Sequence, residues 1–360
     1  MSFLRSGSLL FALGMPLLAQ DAGAAPDALA AHVDKVFARC TAATPGAVVL
    51  VARGGDVLLQ RAYGLADLER SVPLTVDSVL DIGSTSKQFT AACVLLLVAD
   101  GKLALADPVS RHVPGLPDCF ASVTLRHLLL HTSGIPDYID LMLTGGAHLV
   151  DRTTAEHALA ALAKVAALEF ATGSKWQYSN SNYFLLAQVV ERAAKRPLSE
   201  FAAERIFTPL GMASTHVHDD SAQLVPRRAL SFARAPRGSW RWEHSNWEQT
   251  GDGAVFTTVG DLLRWARNFG SGAVGGDALR DAMARPGTLD DGTAIDYGTG
   301  LVFGDLDGVA TVSHGGAWAA YRAELLRVPS ADLVVICLCN RDDLDPSTIC
   351  AGIAKVALAR

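Results

Sequence analysis

Apolar residues fall at two different spacings along this chain, and the spacing changes twice. In "APDALAAHVDKVFARC" they recur every three or four positions, which predicts an amphipathic helix. In "GAVVLVARGGDVLLQRAYG" two aliphatic runs flank a Gly-Gly-Asp turn, the pattern of a β-hairpin. Residues 84–100 are apolar at helical spacing and are stopped by Gly101. Helical readings then dominate. Residues 125–131 form a short helix, 155–167 an Ala-rich one, and "SNYFLLAQVVERAAKRPLSEFAAERIFTPLGM" two helices divided at Arg196-Pro197.

The pattern turns again near Gly251. "GDGAVFTTVGDLLRWARNFG" reads as a turn, a short strand and a capped helix. Four strand-like runs follow, "GTGLVFGDL", "GVATVSHGG", "YRAELLRVP" and "DLVVICLCN", and then a helix over about 346–358. Strands therefore lie at both ends and helices between them. The economical packing is an α+β fold: one antiparallel sheet drawn from both chain ends, flanked by the terminal helices, with a mainly helical insertion. The expected organisation is one domain over 26–360. Its sheet region comprises about 26–80 plus 251–360, its helical region about 81–250, and the active site lies between them.

Composition narrows the class. Half of the residues are hydrophobic, enough for a large core, and the net charge of -6 comes with no basic stripe, so nucleic acid is not an expected partner. "MSFLRSGSLLFALGMPLLAQDAGAA" has a cationic start at Arg5, an apolar stretch over 9–18 and small residues at Ala19, Ala22, Ala24 and Ala25. This is the pattern of a secretory signal peptide over 1–24, too short for the ~20 residues of a spanning helix. The expected protein is exported, periplasmic or extracellular, with no transmembrane anchor. Its six cysteines match no zinc framework, and most read as buried small hydrophobes. Cys40 and Cys350, in the terminal helical segments, are the first pair to test for a bridge.

Three short motifs carry chemistry. In "GSTSKQFTA", Ser84 and Lys87 stand three apart, on one face of a helix start. A serine hydroxyl needs a base to become a nucleophile, and a lysine at that distance can supply it. The helix N-terminus also offers backbone N–H groups to a developing oxyanion. Alone, S-x-x-K reads more readily as an ordinary helix cap. In "KWQYSNSNYFLL", Tyr178 offers a phenol for proton transfer and Asn180 an amide that orients a carbonyl. In "TVSHGGAWAAYRAELL", His314 precedes paired glycines within a strand, where they are costly unless something approaches the backbone.

S-x-x-K, then Y-x-N, then a K/H-[TG]-G strand, in that order, resembles the serine β-lactamase and penicillin-binding-protein superfamily. It is most similar to the class C branch of β-lactamases, D,D-carboxypeptidases, D-aminopeptidases and serine esterases. The likeness runs from about Ala28 to the C-terminus and includes "LRHLLLHTSGIPDY", "FTPLGMASTH" and "GDGAVFTTVGDLLRW". It implies Ser84 as the acylated nucleophile, Lys87 as general base or proton relay, Tyr178 as proton shuttle and His314 as the third-motif basic residue. It further implies substrate contacts from Asn180, Gly316 and Ala317, with an oxyanion hole made by the N–H groups of Ser84 and Ala317. The implied function is a secreted serine hydrolase that cleaves an ester or amide through an acyl-serine, without cofactor or metal. Its substrate would be a small molecule or short peptide, whether ester, lactam or D-amino-acid peptide. The rival reading is a penicillin- or peptidoglycan-binding relative that acylates without useful turnover. The oligomeric state is open.

Two departures shape the expectation. His314 replaces the usual lysine, and a histidine, with a reference pKa near 6.5, is mostly neutral at pH 7. That favours an esterase or amidase over a dedicated penicillinase or carboxypeptidase, with Arg322 as the substitute contact for a substrate carboxylate. Thr172-Gly173 also stands where Pro-Gly is usual. Of the remaining signals, His127 and His131 are spaced i, i+4 but lack a third ligand. His216 and His218 read as surface residues of a loop. Trp240, Trp242 and Trp247 read equally as a wall of the cleft or as loop packing.

Overall fold

The computed structural model describes residues 28–359. Among them, the strands β1 (Ala47–Arg53), β2 (Asp56–Tyr63), β3 (Val302–Leu306), β4 (Val309–Trp318), β5 (Tyr321–Val328) and β6 (Leu333–Cys339) form a six-stranded antiparallel sheet. The order is β3-β4-β5-β6-β1-β2. The first strand thus pairs with the last, Ala47 opposite Cys339, and the sheet is built from both chain ends as expected. The helices used below are α1 (Ala28–Val36), α2 (Lys87–Ala99), α3 (Asn180–Ala194), α4 (Val259–Ser271) and α5 (Pro346–Leu358). None of the helices described is long and apolar enough to cross a membrane. The expected signal segment, 1–24, lies outside the described residues.

The sheet is covered on both faces, and period two decides which residue goes where. Ala47, Val49 and Val51 point toward the terminal helices and share a core with Leu29, Val33, Cys350 and Ile353. Val48, Leu50 and Ala52 join the larger core on the helical side, with Phe89, Leu97 and Trp265. Every residue of β6 is buried, which is why "LVVICLC" reads as a continuous apolar run and not as an alternation. Cys40, Cys337, Cys339 and Cys350 sit in the terminal-helix core, and all six cysteines are free thiols. The Cys40–Cys350 bridge is therefore absent. The Cys40 sulfur instead faces Arg341 Nη1 at 3.6 Å, and burial pushes its thiol up to about 11.

The helix expected over 84–100 starts differently. A 3₁₀ turn, Gly83–Ser86, leads into α2, and Ser84 stands in that turn. The turn is fixed by its own residues. Gly83 takes φ +49, in the left-handed region that favours glycine, and its N–H donates to Asp81 Oδ1 at 2.8 Å. The hydroxyls that follow act as stitches. Thr85 Oγ1 donates to the His314 carbonyl at 3.0 Å, Ser86 Oγ accepts the Val255 N–H at 3.1 Å, and Thr90 Oγ1 donates to the Gly251 carbonyl at 2.7 Å. Each ties α2 and its leading turn to the sheet or to the Gly251 segment.

The paired glycines of β4 explain themselves here. A Cβ on Gly316 would stand 1.8 Å from the Ile82 carbonyl oxygen and 3.0 Å from the Ser84 nitrogen, and one on Gly83 would stand 2.6 Å from the Ala317 nitrogen. Strand and turn touch backbone to backbone, which no larger residue permits. Gly316→Ala is therefore expected to lower unfolding stability by about 1–3 kcal/mol, the usual cost of overpacking, in a chemical denaturation experiment. Unchanged stability would mean that the turn is free to move away from β4.

Candidate active site

From Ser78 to Leu97 every residue is buried except Ser84, which is partly exposed. Beside it lies Lys87, completely buried. The Lys87 Nζ donates to Ser84 Oγ at 3.1 Å, Asn180 Oδ1 at 2.8 Å and the Asp252 carbonyl at 2.6 Å. Three N–H bonds thus meet three acceptors from three segments, as an ammonium enclosed in protein requires. Asn180 is the first residue of α3, where the sequence puts it. Its amide is locked, since both its backbone N–H and its Nδ2 donate to Asp137 Oδ2 at 2.8 Å.

Tyr178 lies two residues upstream, in the loop that leads into α3. Lys87 Nζ sits 4.8 Å from the centroid of its ring, within cation–π range. The Tyr178 ring also stacks on His131, with centroids 4.3 Å apart. His131 Nδ1 accepts from the Ser179 N–H at 3.2 Å and from Asn182 Nδ2 at 3.0 Å, so the histidine also grips the chain on either side of Asn180. Burial, with Lys87 and His314 nearby, holds this imidazole well below its usual pKa. It is neutral, and its free proton belongs on Nε2.

His314 occupies a different setting from the one expected. It is 4% exposed. Its Nδ1 faces the Gly315 carbonyl at 2.6 Å, which only accepts, so Nδ1 carries the proton. Its Nε2 is then the acceptor for the Tyr297 hydroxyl at 3.1 Å. Both nitrogens are committed inside the protein. Burial, reinforced by Lys87, pushes the imidazole down to about 4. Arg322, opposite Ala317 in the β4–β5 register, borders the outer groove with Ser84, Tyr178 and His314. Its Nη1 is held by the carbonyls of Ala319 at 3.0 Å and Tyr321 at 2.7 Å.

On the other side of Ser84 lies a cavity of about 270 Å³, lined by Asn180, Asp252, Trp247, Trp318 and Tyr138 among others. Trp247 thus borders the cleft. Trp240 and Trp242 belong to a separate two-stranded hairpin, and Trp242 stacks on His244 at 4.0 Å. His218 is not a surface residue. It is buried on this cavity, and desolvation pushes it down to about 4. His127 turns away to cap its own helix through Thr124, whose N–H donates to His127 Nδ1 at 3.1 Å.

The geometry brings together Ser84, Lys87, Tyr178, Asn180, Gly316 and Ala317. Sequence reasoning missed Asp137, His131, Tyr297 and Asp252. Asp137 and His131 stand in the quoted "LLLHTSGIPDY", where a helix cap and a lone histidine carry no catalytic signature. Asp252 stands in "GDG", which the sequence pattern reads only as a turn.

The family model described as Beta-lactamase matches residues 33–357. Penicillin-binding protein 4* of Bacillus subtilis is 30% identical over 308 residues, covering 82% of this chain and 68% of its own length. A D-aminopeptidase of Brucella anthropi is 29% identical over 296 residues, 82% of this chain, but the match spans only 56% of that protein. Among solved structures, the octameric penicillin-binding protein homologue from Pyrococcus abyssi superposes with a TM-score of 0.79 at 24% identity, over 92% of this chain and 77% of its own. The D-amino acid amidase from Ochrobactrum anthropi SV3 gives 0.75 at 21%, over 92% and 97%. These two structural likenesses bear on the fold.

The depressed histidines have a measurable consequence. A group whose folded pKa lies below its unfolded value binds fewer protons when folded, so stability falls as pH drops from about 6.5 toward 4. His314 and His218 are each expected to contribute about 1.4 kcal/mol per pH unit across that window. NMR titration should show both rings unprotonated from pH 8 to pH 5.5. A His314 midpoint near 6.5 would contradict the buried, doubly bonded imidazole.

Proposed function

The chain belongs to the beta-lactamase family, and from that premise we propose that it is an exported serine hydrolase that cleaves an ester or amide through an acyl-Ser84 intermediate. The observation that carries the reading is the isolation of Ser84. It is the one accessible residue in a buried run, and the fully buried Lys87 Nζ is 3.1 Å from its hydroxyl. The fold is that of class C β-lactamases, D,D-peptidases, D-aminopeptidases and their esterase relatives. The relative named D-aminopeptidase supports an amide as well as an ester as the scissile bond. The pattern of Arg5, the apolar stretch and Ala19 to Ala25 supports export.

In this reading the Lys87 ammonium first gives up one proton, and Ser84 Oγ attacks the substrate carbonyl carbon as its own proton passes to the Lys87 lone pair, directly or through the Tyr178 hydroxyl, which hands its own proton on. The developing oxyanion meets the N–H groups of Ser84 and Ala317, whose segments are pressed together by Gly83 and Gly316. The bond to the leaving group breaks, and Tyr178 returns the proton to the departing oxygen or nitrogen. Water then attacks the acyl-serine as its proton passes through the Tyr178 hydroxyl to Lys87, and that proton returns to Ser84 Oγ as the acyl bond breaks, regenerating the free hydroxyl and releasing the acid. Asn180 holds Lys87 and borders the acyl side. His314, with no nitrogen free, acts through Tyr297 and the β4 backbone and not as a cation. Arg322 is left as the one cation bordering the outer groove, for a substrate carboxylate.

Kinetics on a panel of p-nitrophenyl esters, nitrocefin and D-Ala-D-Ala peptides tests the assignment. Ser84→Ala and Lys87→Ala should each lower kcat/KM by about 10³-fold or more on any substrate that is turned over. Tyr178→Phe should lose about 10²-fold or more with a melting temperature near wild type, while Ser84→Ala, which takes one acceptor from Lys87, should melt lower. Wild-type rates in Ser84→Ala would end the proposal. A stoichiometric covalent adduct with no turnover on the whole panel would instead identify a penicillin- or peptidoglycan-binding relative.

A further inference from the structure

The acid in the Gly251–Gly253 turn has no task in the chemistry described so far. Asp252 uses its main-chain carbonyl to hold Lys87 Nζ at 2.6 Å. Its side chain is buried, 6% exposed. Oδ2 accepts the Tyr138 hydroxyl at 3.2 Å, and Oδ1 has no partner. A carboxylate oxygen buried without a donor is costly, because it has given up water and received nothing. Asp252 nevertheless lines the cavity beside Ser84, where a ligand can provide what the protein withholds.

We propose, building on the acyl-serine reading above, that this cavity is the acyl subsite and that Asp252 makes it select acyl groups carrying a protonated amine. The walls suit such a group. Trp247 and Trp318 pack with centroids 5.7 Å apart, and Tyr138 lies 6.5 Å from Trp247, so three aromatic rings line the same cavity as the carboxyl. Aromatic rings accept an apolar chain and attract a cation over their faces. The volume, about 270 Å³, takes a group of the size of a phenylethyl chain.

The charges around the carboxyl agree. On α2, Lys87 has all three N–H bonds committed. Asp137, at the start of the helix Tyr138–Thr144, adds a second carboxylate against that single ammonium. Elsewhere on the cavity wall Asp81 is offset by Arg228, and His218 is neutral. The acyl side therefore has one more acid than base. The outer groove on the far side of Ser84 is lined by one base, Arg322, and one acid, Asp345, so the unbalanced acid lies on the acyl side alone.

Binding of 2-phenylethylamine and 2-phenylethanol tests this directly, since the two share a shape and differ in one charged group. Neither needs a working nucleophile, so the result is readable in Ser84→Ala as well, and it stands apart from the fate of the acyl-serine reading. In NMR titrations at pH 8 the amine is expected to bind about 10-fold or more tighter than the alcohol. In Asp252→Asn that ratio should fall to within about 2-fold of unity while alcohol binding holds, and Asp252→Ser repeats the measurement should the first variant not fold. Burial pushes the Asp252 carboxyl up to about 7, so the wild-type preference should also shrink between pH 8 and pH 5.5, where the amine stays charged. Asp81, pushed up to about 6, titrates in the same window, burial also raises Asp137, and any pH dependence that persists in Asp252→Asn belongs to these two. Equal binding of the two ligands in wild type, a preference that survives loss of the carboxyl, or no binding of either would overturn the proposal.

Discussion

A lysine with no exposed surface constrains everything around it. Removing an ammonium from water costs several kcal/mol unless it is fully hydrogen bonded. Lys87 meets that demand with acceptors from three parts of the chain: the turn before its own helix, the first residue of α3, and the main chain at Asp252. The helical region and the Gly251 segment must therefore converge on one point for the fold to be stable. The convergence places Ser84 at the surface of that point. Stability and the proposed chemistry thus rest on the same three bonds.

The second constraint is distance of approach. The proposed oxyanion site needs N–H groups from two segments, the Ser84 turn and β4, side by side. Backbones come that close only where no Cβ intervenes, and Gly83 and Gly316 supply the space. Thr85 then fastens the two segments through the His314 carbonyl. His314 belongs to this scaffold. Its ring is shielded from water between the Gly315 carbonyl and the Tyr297 hydroxyl, so replacing the family's lysine removes a permanent charge without adding a pH-dependent one. The electrostatic character of the cleft passes to Asp252 on one side and Arg322 on the other.

Much of this was legible in the sequence. The period-two and period-three-to-four patterns located the hairpin, the four C-terminal strands and the last helix, because both sheet faces and the helix stripes are buried. The ordered motifs located Ser84, Lys87, Tyr178 and Asn180. What escaped depends on three-dimensional neighbours. Nothing local distinguishes Asp252 from a turn aspartate, or His131 from a core histidine, until the loop holding each is seen against Lys87 or Tyr178. The helix start was misplaced because the 3₁₀ turn runs directly into α2 and its residues, Gly-Ser-Thr-Ser, offer no apolar spacing that would separate the two. His218 was misread because alternation in a two-residue strand is too short to show a buried side.

The central claim is that Ser84 alone is activated. Peptide mapping by mass spectrometry after brief exposure of the native protein to a fluorophosphonate measures this directly. The account predicts one modified residue, Ser84, and a labelling rate that collapses when Lys87 is replaced by alanine. Modification of a different residue, or labelling that ignores the loss of Lys87, would contradict it.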